Sequence, residues 1–112
     1  MEFFRIANNI TKHGLWYNQK GNFTGLVHKE LSFCKSNELQ MPFDSELIGF
    51  LSATRSIGEL LNWFSIDEII RLQSFGYFIY VYESYEYKFY EKFQHFVICQ
   101  NSSKIIANIN LF

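Results

Sequence analysis

Hydrophobic positions are distributed unevenly along this chain, and their spacing changes along its length. Residues 2–7, EFFRIA, read as a short strand, and Asn8–Lys12 follows as a turn. LWYN and FTGLVH then suggest two short strands around a turn at Gln19-Lys20-Gly21-Asn22. Residues 32–46, SFCKSNELQMPFDSE, hold the only proline and few periodic apolar positions, which predicts a long loop. The period then switches to that of a helix. Ile57, Leu60, Leu61 and Phe64 follow one Ser-x-x-Glu, Ser56 to Glu59; Ile66, Ile69, Ile70 and Leu72 follow a second, Ser65 to Glu68. Each tetrad fits a capping box, in which the serine oxygen takes an orphan helix N–H and the glutamate reaches back. Two consecutive helices are expected, over about 57–64 and 66–74, with Gly76 as the stop after the second.

From Tyr77 the pattern becomes that of strands. YFIYVYE at 77–83 is β-branched or aromatic almost throughout and apolar on both faces, as expected of a central strand. Residues 86–90, 94–100 and 104–111 suggest three more strands, the last with alternation at Ile105, Ala107, Ile109 and Leu111. The fold class is therefore α+β: one domain over 1–112, a mostly antiparallel sheet with two short consecutive helices in the middle. The run 77–98 holds ten Tyr or Phe among twenty-two residues, and cross-strand aromatic pairing accounts for such a run without a ligand.

Composition narrows the function classes. Hydrophobic residues at 48% and charged residues at 19% are ordinary for a folded domain. With a net charge of −1 and no Lys/Arg run, the electrostatic footprint of a nucleic-acid binder is missing, so a nucleic-acid partner is not expected. No apolar stretch is of membrane-spanning length, and the N-terminus lacks the basic and apolar regions of a signal peptide. A cytoplasmic protein is expected. Cys34 and Cys99 form no CxxC; either a lone disulfide or, more simply, two reduced thiols fits them, with Cys99 packing as a small hydrophobe in FVIC.

Candidate chemistry is sparse. His13, His28 and His95 show no metal-ligand spacing, and no metal is expected. GNFTG reads as a turn, not a phosphate loop, and no Gly-x-Ser-x-Gly elbow occurs. Glu83, Glu86 and Glu91 cluster in sequence. Glu83 is a candidate acid or base if two such carboxylates share a cleft. The alternative is that Glu83 and Glu86 flank a solvated hairpin turn, Glu83-Ser84-Tyr85-Glu86.

One ordered set is more specific. Arg5 lies in the first strand, Tyr17 follows in HGLWY, and Ser52-x-Thr54 lies in GFLSATRS after a strand and directly before a helix. This order resembles small ADP-ribosyltransferase-like domains. The resemblance implies that Arg5 contacts the ribose and phosphates of NAD, that Ser52 and Thr54 support the nicotinamide-ribose pocket, and that Tyr17 is the stacking ring. An Arg fork suits a pyrophosphate. Where that family carries its catalytic glutamate, at the start of a later strand ahead of an apolar run, this chain has Gln94 and His95. Some relatives use histidine-based sites, so His95 and His13 could serve. The resemblance thus implies NAD or a related nucleotide as ligand and leaves catalysis open. In general character the chain also resembles small phage or prophage accessory proteins of the anti-defence type. That implies a non-enzymatic inhibitor of a host protein, with Trp16, Tyr17, Trp63 and the Tyr85–Tyr90 region as candidate aromatic anchors.

Overall fold

The computed structural model describes residues 1–15, 21, 45–92 and 94–110. The expected strand at LWYN apart from Leu15, the expected strand at FTGLVH, Tyr17, and most of the expected loop at 32–46 lie outside the described residues. The remainder is an α+β fold with two antiparallel sheets of three strands each. The first sheet contains β1 (Glu2–Asn8), β3 (Tyr77–Ser84) and β6 (Ser103–Ile109), in the order β1-β3-β6. The second contains β2 (Phe50–Ala53), β4 (Tyr87–Tyr90) and β5 (His95–Cys99), in the order β2-β5-β4. Between β2 and β3 come the two expected helices, α1 (Ile57–Trp63) and α2 (Ile66–Ser74). Among the described residues no helix is long and apolar enough to cross a membrane.

The strand YFIYVYES is central because it is apolar on both faces, and it pairs β1 on one edge and β6 on the other. On the β6 side the ladder slips between Val81 and Tyr82: Val81 faces Ala107, but Tyr82 faces Ile105. Ile106 is thus the extra residue of a bulge. The expected single stripe breaks there, because Ala107 and Ile109 share a face opposite Val81 and Ile79 while Ile105 turns to the other.

The two capping serines behave differently. Ser65 completes a full box, with its oxygen accepting from Glu68 N at 3.1 Å and the Glu68 carboxylate accepting from Ser65 N at 2.8 Å. Ser56 makes only half of one, since the Glu59 carboxylate reaches Arg55 N instead. On α2 only Ile69 and Leu72 are buried; Ile66 and Ile70, one turn apart on the same face, are exposed. Gly76 ends the helix as expected, with φ +88 and its N–H on Gln73 O.

The link from β3 to β4 departs from expectation. It is as short as a hairpin turn, but β3 and β4 belong to different sheets and do not pair. A serine cluster holds this corner in place of a ladder. The fully buried Ser84 bonds to Glu86 O at 3.1 Å and to Ser102 Oγ at 3.2 Å, and Ser103 Oγ donates to Ser84 Oγ at 2.9 Å. The hairpin that does form is the next one, β4–β5, closed through Gln94, whose φ of 58 ends the turn immediately before His95.

Among the described residues the sheets meet at one rung. Phe4 N donates to Thr54 O at 2.8 Å and Thr54 N to Phe4 O at 2.9 Å. In that antiparallel register the next rung would join Ile6 to Ser52. It is not formed, so β1 and β2 diverge. Further along the same edge of β1, the chain returns through the turn at 9–13 and bridges Ala7 to Gly14. Among the described residues the edge of β1 is therefore bridged at Phe4 and at Ala7 and not between them. Phe3 stitches the sheets on the far side of this junction, its ring lying 5.1 Å from Tyr87 and 5.7 Å from Phe96.

Entry into β2 needs backbone contact. Gly49 N donates to Gly21 O at 3.0 Å, and a Cβ on Gly21 would sit 2.5 Å from Gly49 Cα. With φ +82 as well, position 21 accepts only glycine without displacement.

Candidate active site

The gap between the sheets opens into a recess. Arg5 and Ile6 of β1, Ser52 of β2, Gly14 and Leu15, and Leu60, Trp63 and Phe64 line it. Its volume is about 290 Å³ counted to the open mouth, and the enclosed part has room for about one water. The recess lies where that rung is missing, and Leu60 and Trp63 of α1 with the following Phe64 line it too.

Arg5 is 4% exposed. Its Nη1 donates to Tyr82 Oη and to Lys12 O, each at 3.0 Å. Tyr82 reaches it because register puts Tyr80 opposite Arg5 and Tyr82 opposite Phe3, all on one face. Lys12 presents its carbonyl from a left-handed conformation, φ 62, uncommon for a side-chain-bearing residue. The guanidinium is thus held by two oxygens from separate elements, β3 and the turn beyond β1.

Ser52 is 5% exposed and shares a face of the second sheet with His95, also 5% exposed. Ser52 Oγ and His95 Nε2 lie 3.1 Å apart. Trp63 meets the His95 ring edge to face, with centroids at 5.3 Å and planes at 85°. His95 is not itself part of the recess lining; it contacts two residues that are, Ser52 and Trp63.

The other expected residues fall elsewhere. Thr54 is buried, but its hydroxyl donates to Ser56 O at 3.0 Å and its backbone makes the one rung between the sheets. Its part is to hold the junction and the start of α1. His13 is half-buried in the turn beyond β1, where its carbonyl accepts from Asn8 N, and it is not among the lining residues. Glu83 lies opposite Glu2, and strand alternation puts it on the face away from Tyr82. Its carboxylate accepts from the Tyr85 hydroxyl at 3.0 Å. That hydrogen bond, then the carboxylate's charge, push the Tyr85 phenol above its ordinary value, with a small addition from burial. Tyr17 lies outside the described residues. Cys99 is half-buried at the end of β5. Among the described residues no cluster of three or more His, Cys, Asp or Glu is placed to hold a metal.

Of the expected set, then, Arg5 and Ser52 meet at one recess with His95 against Ser52, while Thr54, His13 and Glu83 do not enter it. Tyr82 and Lys12, which orient Arg5, carried no signal of their own in the sequence. Tyr82 was one aromatic among many, and only the β1–β3 register selects it.

No family model matches this chain, and neither a curated protein nor a solved structure matches it.

Proposed function

We propose that this protein is a small NAD-using or NAD-metabolite-binding domain of ADP-ribosyltransferase-like type, acting in the cytoplasm. The observation that carries the reading is the convergence of Arg5 and Ser52 on one recess where the sheets split. The resemblance requires a first-strand arginine to face the Ser-x-Thr segment across such a split, and chance placement of two short motifs does not require it. A buried, pre-oriented guanidinium suits a phosphate or pyrophosphate. The enclosed part of the recess holds about one water, so NAD or an NAD metabolite would have to lie across its mouth or widen it on binding. His95 stands at the opening of β5, where the family's glutamate would be, and offers proton transfer in place of a fixed negative charge.

Calorimetric titration with NAD and ADP-ribose tests binding: the wild type should bind at least one and Arg5→Ala neither. Transfer of label from tagged NAD into a host lysate then tests catalysis, with Arg5→Ala as control. Absence of binding to both ligands would end the reading.

A second reading has its own observation. Tyr85 is 75% exposed and Phe89 46%, with Tyr87 between them, all on or entering β4 at the edge of the second sheet. Such a row suits an inhibitor that docks on a host protein, in the manner of phage anti-defence factors. On that reading a host protein co-purifies with the wild type and with Arg5→Ala, and is lost with Tyr85→Ser combined with Phe89→Ser.

A further inference from the structure

We propose that this protein pairs with a second copy of itself through the outer edge of β4, in an antiparallel register whose two-fold axis passes through Tyr87. The pairing is independent of the nucleotide reading, since no β4 residue lines the recess. Among the described residues, β1 and β6 bound one sheet and β2 and β4 the other, and only β4 offers a regular open edge. β1 is bridged at Phe4 and Ala7, and the chain is bridged at Thr54 just past the end of β2. β6 carries the bulge at Ile106, a feature that deters edge pairing. β4 pairs with β5 without a slip, and no strand lies on its other side.

The ladder to β5 fixes which backbone groups face outward. Cys99 N donates to Glu86 O at 2.8 Å, so Glu86 and Lys88 direct their backbone groups inward, while Tyr87 and Phe89 direct theirs to the open edge. Two copies related by a two-fold axis at Tyr87 would exchange N–H to carbonyl bonds at that residue. Side chains then select this register. Tyr87 and Phe89 are exposed on one face, and Glu86 and Lys88 are exposed on the other. With the axis at Tyr87, Glu86 of each copy lies opposite Lys88 of the other, at the non-hydrogen-bonded positions where side chains come closest. Tyr87 meets Tyr87, and Phe89 comes against Tyr85 of the second copy. Moving the axis by one residue, to Glu86 or to Lys88, would set two like charges face to face. Both charges are available for the pairing. The Lys88 ammonium lies 4.8 Å from the Phe50 ring centroid, and among the described residues neither Glu86 nor Lys88 has an ion-pair partner. A lysine alone on an edge discourages pairing. With a glutamate two residues before it, the lysine instead favours a partner carrying the same pattern in reverse, which is this chain related by a two-fold axis.

Sedimentation equilibrium on the full chain tests this. The weight-average mass of the wild type should rise toward twice that of one chain as concentration is raised. Glu86→Lys and Lys88→Glu should each weaken self-association by roughly tenfold or more, because two opposite-charge pairs become like-charge pairs. Both positions are exposed, so the circular dichroism of the variants should match the wild type. An equal mixture of the two single variants should associate again, one being basic at both positions and the other acidic. The double variant, with the charges exchanged, should associate like the wild type. A wild type with the mass of one chain at every concentration would overturn the pairing. So would a dimer that neither single variant weakens, or a mixture that associates no better than its components. A monomer that retains a different protein from a lysate would also overturn it and leave the β4 edge to the docking reading.

Discussion

The junction of the two sheets and the β3–β4 corner invert the usual distribution of side chains. At the junction, polar groups are buried: Arg5, Ser52, Thr54 and His95 are all at most 5% exposed. At the corner and along β4, large aromatics are exposed: Tyr85, Tyr87 and Phe89. Each buried polar group has a defined partner, Tyr82 and Lys12 for Arg5, His95 for Ser52, Ser56 for Thr54. Burying such groups costs free energy unless the partners are in place, so their positions are tightly specified. The exposed rings need little of this. Tyr87 packs its ring on Phe3 and Phe89 on Phe96, each with one face left to solvent. The proposed nucleotide site would need the first kind of order, while the alternative docking face would tolerate the second.

The difference can be tested in descending order of effect. Phe3, fully buried, joins the two regions through Tyr87 and Phe96. Phe3→Ala should cost about 3–5 kcal/mol in urea unfolding. A loss under about 1 kcal/mol would mean the sheets are held together elsewhere. Arg5→Met keeps length and apolar bulk but leaves the Tyr82 hydroxyl and Lys12 carbonyl without their donor. It should cost about 1–3 kcal/mol and, on the proposed function, abolish nucleotide binding. Unchanged stability would show that Arg5 is not held as the geometry describes. Phe89→Ser should cost no more than about 1 kcal/mol, the scale of one aromatic pair, and leave the proposed nucleotide binding unaffected. A larger loss would make β4 part of the core.

The smallest effect concerns Tyr85. Its phenol titrates above the ordinary value because it donates to Glu83. The folded-state value is the higher one, so the contribution to stability is present below the pH at which an unfolded tyrosine ionises. It is lost as pH rises through the folded value. Phenolate absorbance should show one late-titrating component among the seven tyrosines. Glu83→Gln should bring it down, and Tyr85→Phe should remove it. With no such component, Glu83 would be available for another role.

Local patterns of the chain carried what local physics controls. The apolar run at 77–83 specified a central strand, the Ser-x-x-Glu pairs specified two helix starts, and Gly76 specified a stop, because each depends on neighbours within a turn or a pleat. The order Arg5, then Ser52-x-Thr54, was equally legible, as was His95 at the head of a strand. What those residues touch was decided elsewhere. That Glu83-Ser84-Tyr85-Glu86 turns a corner between sheets, that a bulge at Ile106 divides the last apolar stripe, and that Glu83 faces away from Arg5 all depend on which strands pair and in which register. One unformed rung between Ile6 and Ser52 makes the recess. Tyr82 and Lys12, from opposite ends of the sequence, orient its arginine. A rung joins residues 46 positions apart in the chain, and no local pattern records whether it forms. That is a matter of how β1, β2 and α1 pack together, which is a property of the tertiary structure.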